Sequence, residues 1–241
     1  AYGTAEHVLN CFLSQPIIQR NEVRIISKTK SADEQMLNDA KCSLENIGVQ
    51  YLDGCLLHDA DLVFSKAAVS NLKLLKETGI SKEIGVSVYT PEQAVKALDY
   101  DFIDIIQVPY NILDRRLDKS DFFAGAKEIG LNIYVRSVLL QGLLMMNPDT
   151  LPKKMKFAES YIRKYQRLCR QNSLGFFETA VGYVLQHENI DYIVFGVDNL
   201  SQLNEYINLY SNPTKKDILK IFSSVFNNVD EKVIMPNLWN K

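Results

Sequence analysis

The feature that most constrains the fold of this chain is an alternation: six short apolar runs, separated by longer amphipathic stretches, recur along almost its whole length. The runs are VRIISK (23–28), YLDGCLLH (51–58), EIGVSV (83–88), FIDIIQV (102–108), LNIYVRSV (131–138) and YIVFGV (192–197). They are rich in β-branched residues and mostly lack strict apolar/polar alternation, which is the pattern of strands covered on both faces in a parallel sheet. The stretches between them carry helix start and stop signals. SADEQMLNDAKCSLENIG ends at Gly48, SKAAVSNLKLLKETG ends at Gly79, and TPEQAVKALDY opens on threonine followed by proline.

A βαβα order with no composition break to mark a linker points to a single α/β domain over residues 1–241, and a (β/α)8 TIM barrel is the leading architecture. Such a barrel has eight strands in about 250 residues. Only six strand-like runs are present, so the expectation is that the first two strands are missing from the chain. The opening AYG then reads as the loop after the second barrel strand.

The balance of residues narrows the partners. With 46% hydrophobic residues, 23% charged residues and a formal charge of -2, the chain has no basic footprint for nucleic acid or an anionic membrane. No apolar stretch reaches transmembrane length and no basic-then-apolar leader is present. The four cysteines, Cys11, Cys42, Cys55 and Cys169, have no CxxC or metal-ligand spacing; they read as buried, reduced thiols of a cytoplasmic protein, and no metal site is expected.

In a parallel barrel the carboxyl ends of the strands build the active site. Those positions hold Lys28, His58, Ser87, Gln107, Arg136, Ser137 and Gly196, with Tyr2 in the first visible loop. Polar side chains at the ends of apolar strands are costly unless they meet a ligand or one another.

Taken in order, AYG, IISK, CLLH, IGVSV, IIQVPYN, VRSVLLQGLL and VFGVDNLSQL resemble the motifs of the aldo-keto reductases from residue 1 to about residue 210. The resemblance implies an eight-stranded barrel that binds NADP, with NAD possible, and reduces a small aldehyde or ketone. It makes Tyr2 the general acid, Lys28 its electrostatic partner and His58 the group that orients the carbonyl. The family's aspartate, five residues before the tyrosine, would fall ahead of Ala1. Ser87 and Gln107 match positions that hold the nicotinamide carboxamide. Ser137, Leu139 and Gly142 match the segment over the pyrophosphate, while Gly196 and the helix start at Asn199 to Gln202 match the phosphate site.

Departures from the family pattern are specific. Val88 stands where many members have asparagine, Arg136 replaces a stacking aromatic, and Val138 replaces proline. Asp198 and Tyr206 take positions that contact the ribose phosphate and adenine. The alternative function is a cofactor-binding regulatory or interaction subunit, against which the joint presence of Tyr2, Lys28 and His58 argues. His7 and His187 read as structural and Lys153, Lys154 and Lys156 as a solvated loop face. Arg115 and Arg116 would meet an anionic substrate or nothing, and Trp239 would be either a pocket wall or barrel packing. The oligomeric state is open.

Overall fold

The computed structural model describes residues 4–239. Two compact units are distinguished, residues 1–107 with 125–132, and residues 108–124 with 133–241.

The first unit runs α1 (Ala5–Leu13), β1 (Ile26–Thr29), α2 (Gln35–Ile47), β2 (Leu52–Leu57), α3 (Lys66–Glu77), β3 (Ser81–Ser87), α4 (Pro91–Ala97) and the start of β4 (Ile105–Pro109). The strands pair in parallel and in chain order, with Lys28 beside Leu56, Leu57 beside Val86 and Ser87 beside Gln107. Every residue of β2 is buried, as its nearly continuous apolar run predicts.

The helix signals act where the sequence places them. Gly48 closes α2 in the left-handed region (φ 75°), its N–H reaching back to the carbonyls of Leu44 and Glu45. Thr90 caps α4 through its hydroxyl while Gln93 reaches back to the Thr90 N–H, a capping box with proline in the first turn.

Among the glycines, Gly85 has the tightest surroundings. A Cβ built there would lie 1.8 Å from the carbonyl oxygen of Ile105, so β3 and β4 pair at this point only because position 85 carries no side chain. At the start of β2, Asp53 accepts from Arg20 Nη2 at 2.8 Å and from the Ile25 N–H at 2.9 Å. Burial pushes its carboxyl pKa up, but these bonds outweigh burial and leave it below the ordinary value.

Helix α5 (Phe122–Glu128) contains one of the unit boundaries. The second unit holds the remainder of β4, β5 (Asn132–Arg136, from Ile133 on), α6 (Glu159–Gln171), α7 (Phe176–Leu185), β6 (Tyr192–Ile193), α8 (Leu200–Ser211), α9 (Ile218–Phe222) and α10 (Glu231–Ile234). β6 pairs in parallel with β5, Tyr134 beside Tyr192 and Val135 beside Ile193. α7 is buried from Thr179 to Val184. Arg115 donates through Nη1 to the carbonyls of Phe222, Ser223 and Val225 at 3.0 to 3.2 Å and through Nε to Asp118 at 2.9 Å, while Arg116 grips Asp114 through Nε and Nη2.

Among the described residues there are therefore six strands, two fewer than a closed barrel contains, and β1 to β4 and the β5–β6 pair run parallel. Some expectations change. The predicted strand 192–197 shrinks to Tyr192–Ile193. The Val194 N–H still reaches the Val135 carbonyl at 2.7 Å, but β5 ends at Arg136 and Ser137 turns to φ 65°, so the ladder has nothing further to pair with on that side.

Cys55 and Cys169 are buried, whereas Cys11 and Cys42 are exposed: each lies on an amphipathic helix, on the side that faces water. Trp239 is buried, its indole N–H bonded to the Lys232 carbonyl at 2.7 Å. His187 packs on Phe123, ring centroids 4.3 Å apart, and edge-on to Tyr110, and burial lowers its pKa. Among the described residues no helix is long and apolar enough to cross a membrane, and no group of three or more His, Cys, Asp or Glu is placed to hold a metal ion.

Candidate active site

Within the first unit the parallel register carries the predicted residues to the same ends of neighbouring strands. Lys28 is the third residue of β1. His58 follows the last residue of β2, and its N–H donates to the Thr29 carbonyl at 2.8 Å. Ser87 ends β3 directly beside Gln107 of β4. Lys28 Nζ donates to Gln107 Oε1 at 2.5 Å, and Ser87 Oγ donates to the same oxygen at 3.4 Å.

Gln107 and Ser87 are 4% and 1% exposed, so the half-buried lysine meets a carbonyl oxygen that the core holds in place. A charge-assisted bond of this kind fixes the ammonium at one point, and a fixed cation acts on charge that develops nearby without reorganising first. Tyr2 lies outside the described residues.

The second unit contains a cavity of about 690 Å³. All six sequence-predicted residues from its strap and helix region, Ser137, Leu139, Gly142, Gly196, Asp198 and Gln202, line it. Arg136 does not; its guanidinium donates to Ser137 Oγ at 3.3 Å. At the start of α8, Asn199 Oδ1 accepts from the Gln202 N–H at 3.0 Å, and Gln202 Oε1 accepts from the Asp198 N–H at 2.8 Å. That is a capping box displaced by one residue from the expected form, because the return bond ends on Asp198 and not on Asn199.

A Cβ added at Gly196 would meet nothing within 4 Å, so backbone lies open to the cavity beside the N-terminus of a 12-residue helix. That arrangement suits a phosphate.

Three aromatic rings form another wall. Tyr206 lies flat against Phe195, centroids 3.7 Å apart at 8°, and Phe177 meets Tyr206 edge-on at 4.8 Å. Burial raises the Tyr206 hydroxyl pKa, and neighbouring Glu205 adds to the effect. Among the described residues the lining includes two carboxylates, Asp198 and Glu205, and no lysine or arginine.

Sequence reasoning missed Phe177, Phe195 and Glu205. Phe195 sat in a run read as a buried strand, Glu205 is an ordinary helix-surface residue by pattern, and no local signal marks Phe177. Trp239 and the cluster Lys153, Lys154 and Lys156 take no part in the lining. Arg115 and Arg116 are held by Asp118 and Asp114.

The first unit thus carries parallel strands with polar residues at their carboxyl ends, and the second a cavity beside a glycine and a helix N-terminus, which together are features of the α/β class. The model of the aldo/keto reductase family matches residues 1–226, and the chain belongs to that family. Among curated proteins it is 24% identical over 192 residues to the NADH-specific methylglyoxal reductase of Escherichia coli (strain K12), covering 72% of this chain and 59% of that protein. It is 23% identical over 197 residues to the L-glyceraldehyde 3-phosphate reductase of Escherichia coli O157:H7, covering 71% and 57%. The chain thus spans less than two thirds of the length of either relative.

Among solved structures, the aldo-keto reductase AKR11C1 of Bacillus halodurans in its apo form superposes with a TM-score of 0.74 at 20% identity, covering 91% of this chain and 76% of that one. The fold is therefore that of an aldo-keto reductase barrel, with six of its strands among the described residues.

Proposed function

We propose that this protein reduces a small aldehyde or ketone to the alcohol by hydride transfer from a nicotinamide cofactor, with Tyr2 as the general acid. The observation that carries the reading is the convergence of Lys28, Ser87 and Gln107 at the carboxyl ends of β1, β3 and β4, joined through the Gln107 side-chain oxygen. The cofactor supplies the hydride. Lys28 presents a fixed positive charge that favours the tyrosinate left when Tyr2 gives its proton to the carbonyl oxygen, and His58 orients that oxygen by a hydrogen bond.

Ser87 and Gln107 hold the carboxamide of the nicotinamide. Ser137, Leu139 and Gly142 pass over the pyrophosphate, with Arg136 beside them. Gly196, Asp198 and Gln202 hold the ribose end of the cofactor against α8. The open backbone at Gly196 and the capped start of α8 support a phosphate there. The aromatic wall supports a flat base.

The acidic lining bears on cofactor choice. The family's usual NADP is expected to have no strong advantage here, because its extra phosphate meets Asp198 and Glu205 and, among the described residues, no cation of the lining. NADH is accepted at least comparably, in keeping with the NADH specificity stated for the methylglyoxal reductase relative. The direct test follows the loss of NADH absorbance with a series of small aldehydes and ketones. No turnover with any of them, in a protein that binds NADH, would refute the enzyme reading.

A further inference from the structure

The strap that rims the cavity between Ser137 and Met146 is built against the preferences of its residues. Ser137, Leu140 and Gln141 all sit in the left-handed region, at φ 65°, 48° and 52°, followed by Gly142 at 83°. Non-glycine residues keep such conformations only where the surroundings over-determine them. Inside the strap a chain of backbone bonds runs from the Leu140 N–H to Ser137, from Gly142 to Leu139, from Leu143 to Leu140, from Met145 to Gly142 and from Met146 to Leu143. These turns are local and say nothing about what anchors the ends.

Two buried carboxamides anchor them. Asn111, fully buried, uses its Oδ1 to accept the N–H groups of Leu113 and Asp114 at 2.9 Å each, which leaves its Nδ2 to donate to the Ser137 carbonyl at 3.1 Å. Ser137 is the residue at φ 65°, and the same carbonyl closes the first turn with Leu140. At the far end Gln166 of α6, 2% exposed, donates through Nε2 to the carbonyls of Met146 at 2.8 Å and Leu144 at 3.4 Å. Neither side chain lines the cavity, and neither has a part in the chemistry proposed above. Buried amides, each spending its donor on one end of the same strained segment, mark a segment whose shape matters.

We propose that Asn111 and Gln166 are positioning residues that hold the Ser137–Met146 strap in its cavity-forming shape before any cofactor arrives, so that dinucleotide affinity depends on this two-ended tie. The affinity half rests on the reading of the cavity as the cofactor site. The tie lowers the ordering that binding would otherwise require.

Asn111→Asp is nearly isosteric and separates the two duties of the side chain. It keeps acceptors for Leu113 and Asp114 but turns an oxygen, not a donor, toward the Ser137 carbonyl. Gln166→Met removes the other tie while keeping volume. Both are compared with wild type in the full chain by hydrogen exchange without cofactor, by NADH titration, and by steady-state kinetics. The expected result is about tenfold faster exchange at the strap amides, with β1 to β3 unchanged, and NADH binding weakened about tenfold. Turnover at saturating NADH stays within about twofold of wild type, since the loss falls on binding.

Unchanged strap exchange in both variants, or raised exchange with unchanged NADH affinity, overturns the proposal. A wild-type protein that does not bind NADH overturns the cofactor reading and the affinity half with it. The exchange measurement decides the tie independently, because it needs no ligand.

Discussion

Replacing Asp198 by serine and Glu205 by glutamine should move the protein toward NADPH, and the size of the shift follows from the cavity. NADPH differs from NADH by one dianionic phosphate on the adenosine ribose. Both carboxylates line the cavity at exposed positions and, among the described residues, no cation lines it with them. In solvent-like surroundings a carboxylate about 8 Å from a dianion is unfavourable by about 1 kcal/mol before salt screening, which removes much of it over one Debye length. Two such groups amount to about 2 kcal/mol, or about thirtyfold in affinity at low ionic strength.

Wild type is therefore expected to bind NADH as well as NADPH or better, with the NADPH affinity rising in the double variant by up to about thirtyfold and the NADH affinity moving little. Titration of each cofactor, followed by quenching of protein fluorescence at low and at moderate salt, measures both affinities directly. The reasoning is refuted by a wild type that prefers NADPH more than about tenfold with no change on substitution, since the carboxylates would then not face the phosphate.

Other outcomes are equally definite. Tyr2→Phe should lower turnover by about a hundredfold or more with NADH affinity intact, and unchanged turnover on a reactive aldehyde would remove Tyr2 from the acid role. Gly85→Ala, which sets a methyl group 1.8 Å from the Ile105 carbonyl oxygen, should destabilise the protein by about 3 kcal/mol or more in urea titrations; a loss below about 1 kcal/mol would contradict the strand spacing. Because the Asp53 carboxyl pKa is depressed in the folded state, its contribution to stability is present above its unfolded pKa of about 3.9 and lost as pH falls through the folded value. The gap in stability between wild type and Asp53→Asn should thus be widest near neutral pH and close below about pH 4, and a gap independent of pH would count against the ion pair. In the native protein an aromatic disulfide reagent should modify Cys11 and Cys42 quickly, leaving Cys169 and Cys55, whose thiol burial pushes up to about 12, unreacted until the chain is denatured.

What could be read from the sequence was local chemistry with a fixed period or a fixed offset. The caps at Gly48, Thr90 and Asn199 act over one helical turn, and the buried strand β2 is a run of contiguous residues, so both leave a mark in a short window. The polar residues at strand ends were legible because a parallel strand exposes its last residue at the same end each time. The length of β6 was not legible, because a strand stops where its neighbour stops, and β5 turns away at Ser137 through a backbone conformation that serine does not advertise.

The aromatic wall was hidden for a related reason. Phe177 lies on α7, Phe195 follows β6 and Tyr206 lies on α8, so their contact depends on how three segments pack. Asn111 was visible in the motif PYN, but its task could not be guessed, since its partner Ser137 stands 26 residues away.

Arg115 has a consequence for how the segment after α9 behaves under attack. One guanidinium grips the three carbonyls of Phe222, Ser223 and Val225, so the segment that follows α9 is fastened to a loop more than a hundred residues upstream. A protease should therefore cut slowly within residues 222–225 under native conditions. Loss of that segment would strip the arginine of its three acceptors and leave it gripping Asp118 within its own loop. In this protein the last turn of α9 belongs mechanically to the loop after β4.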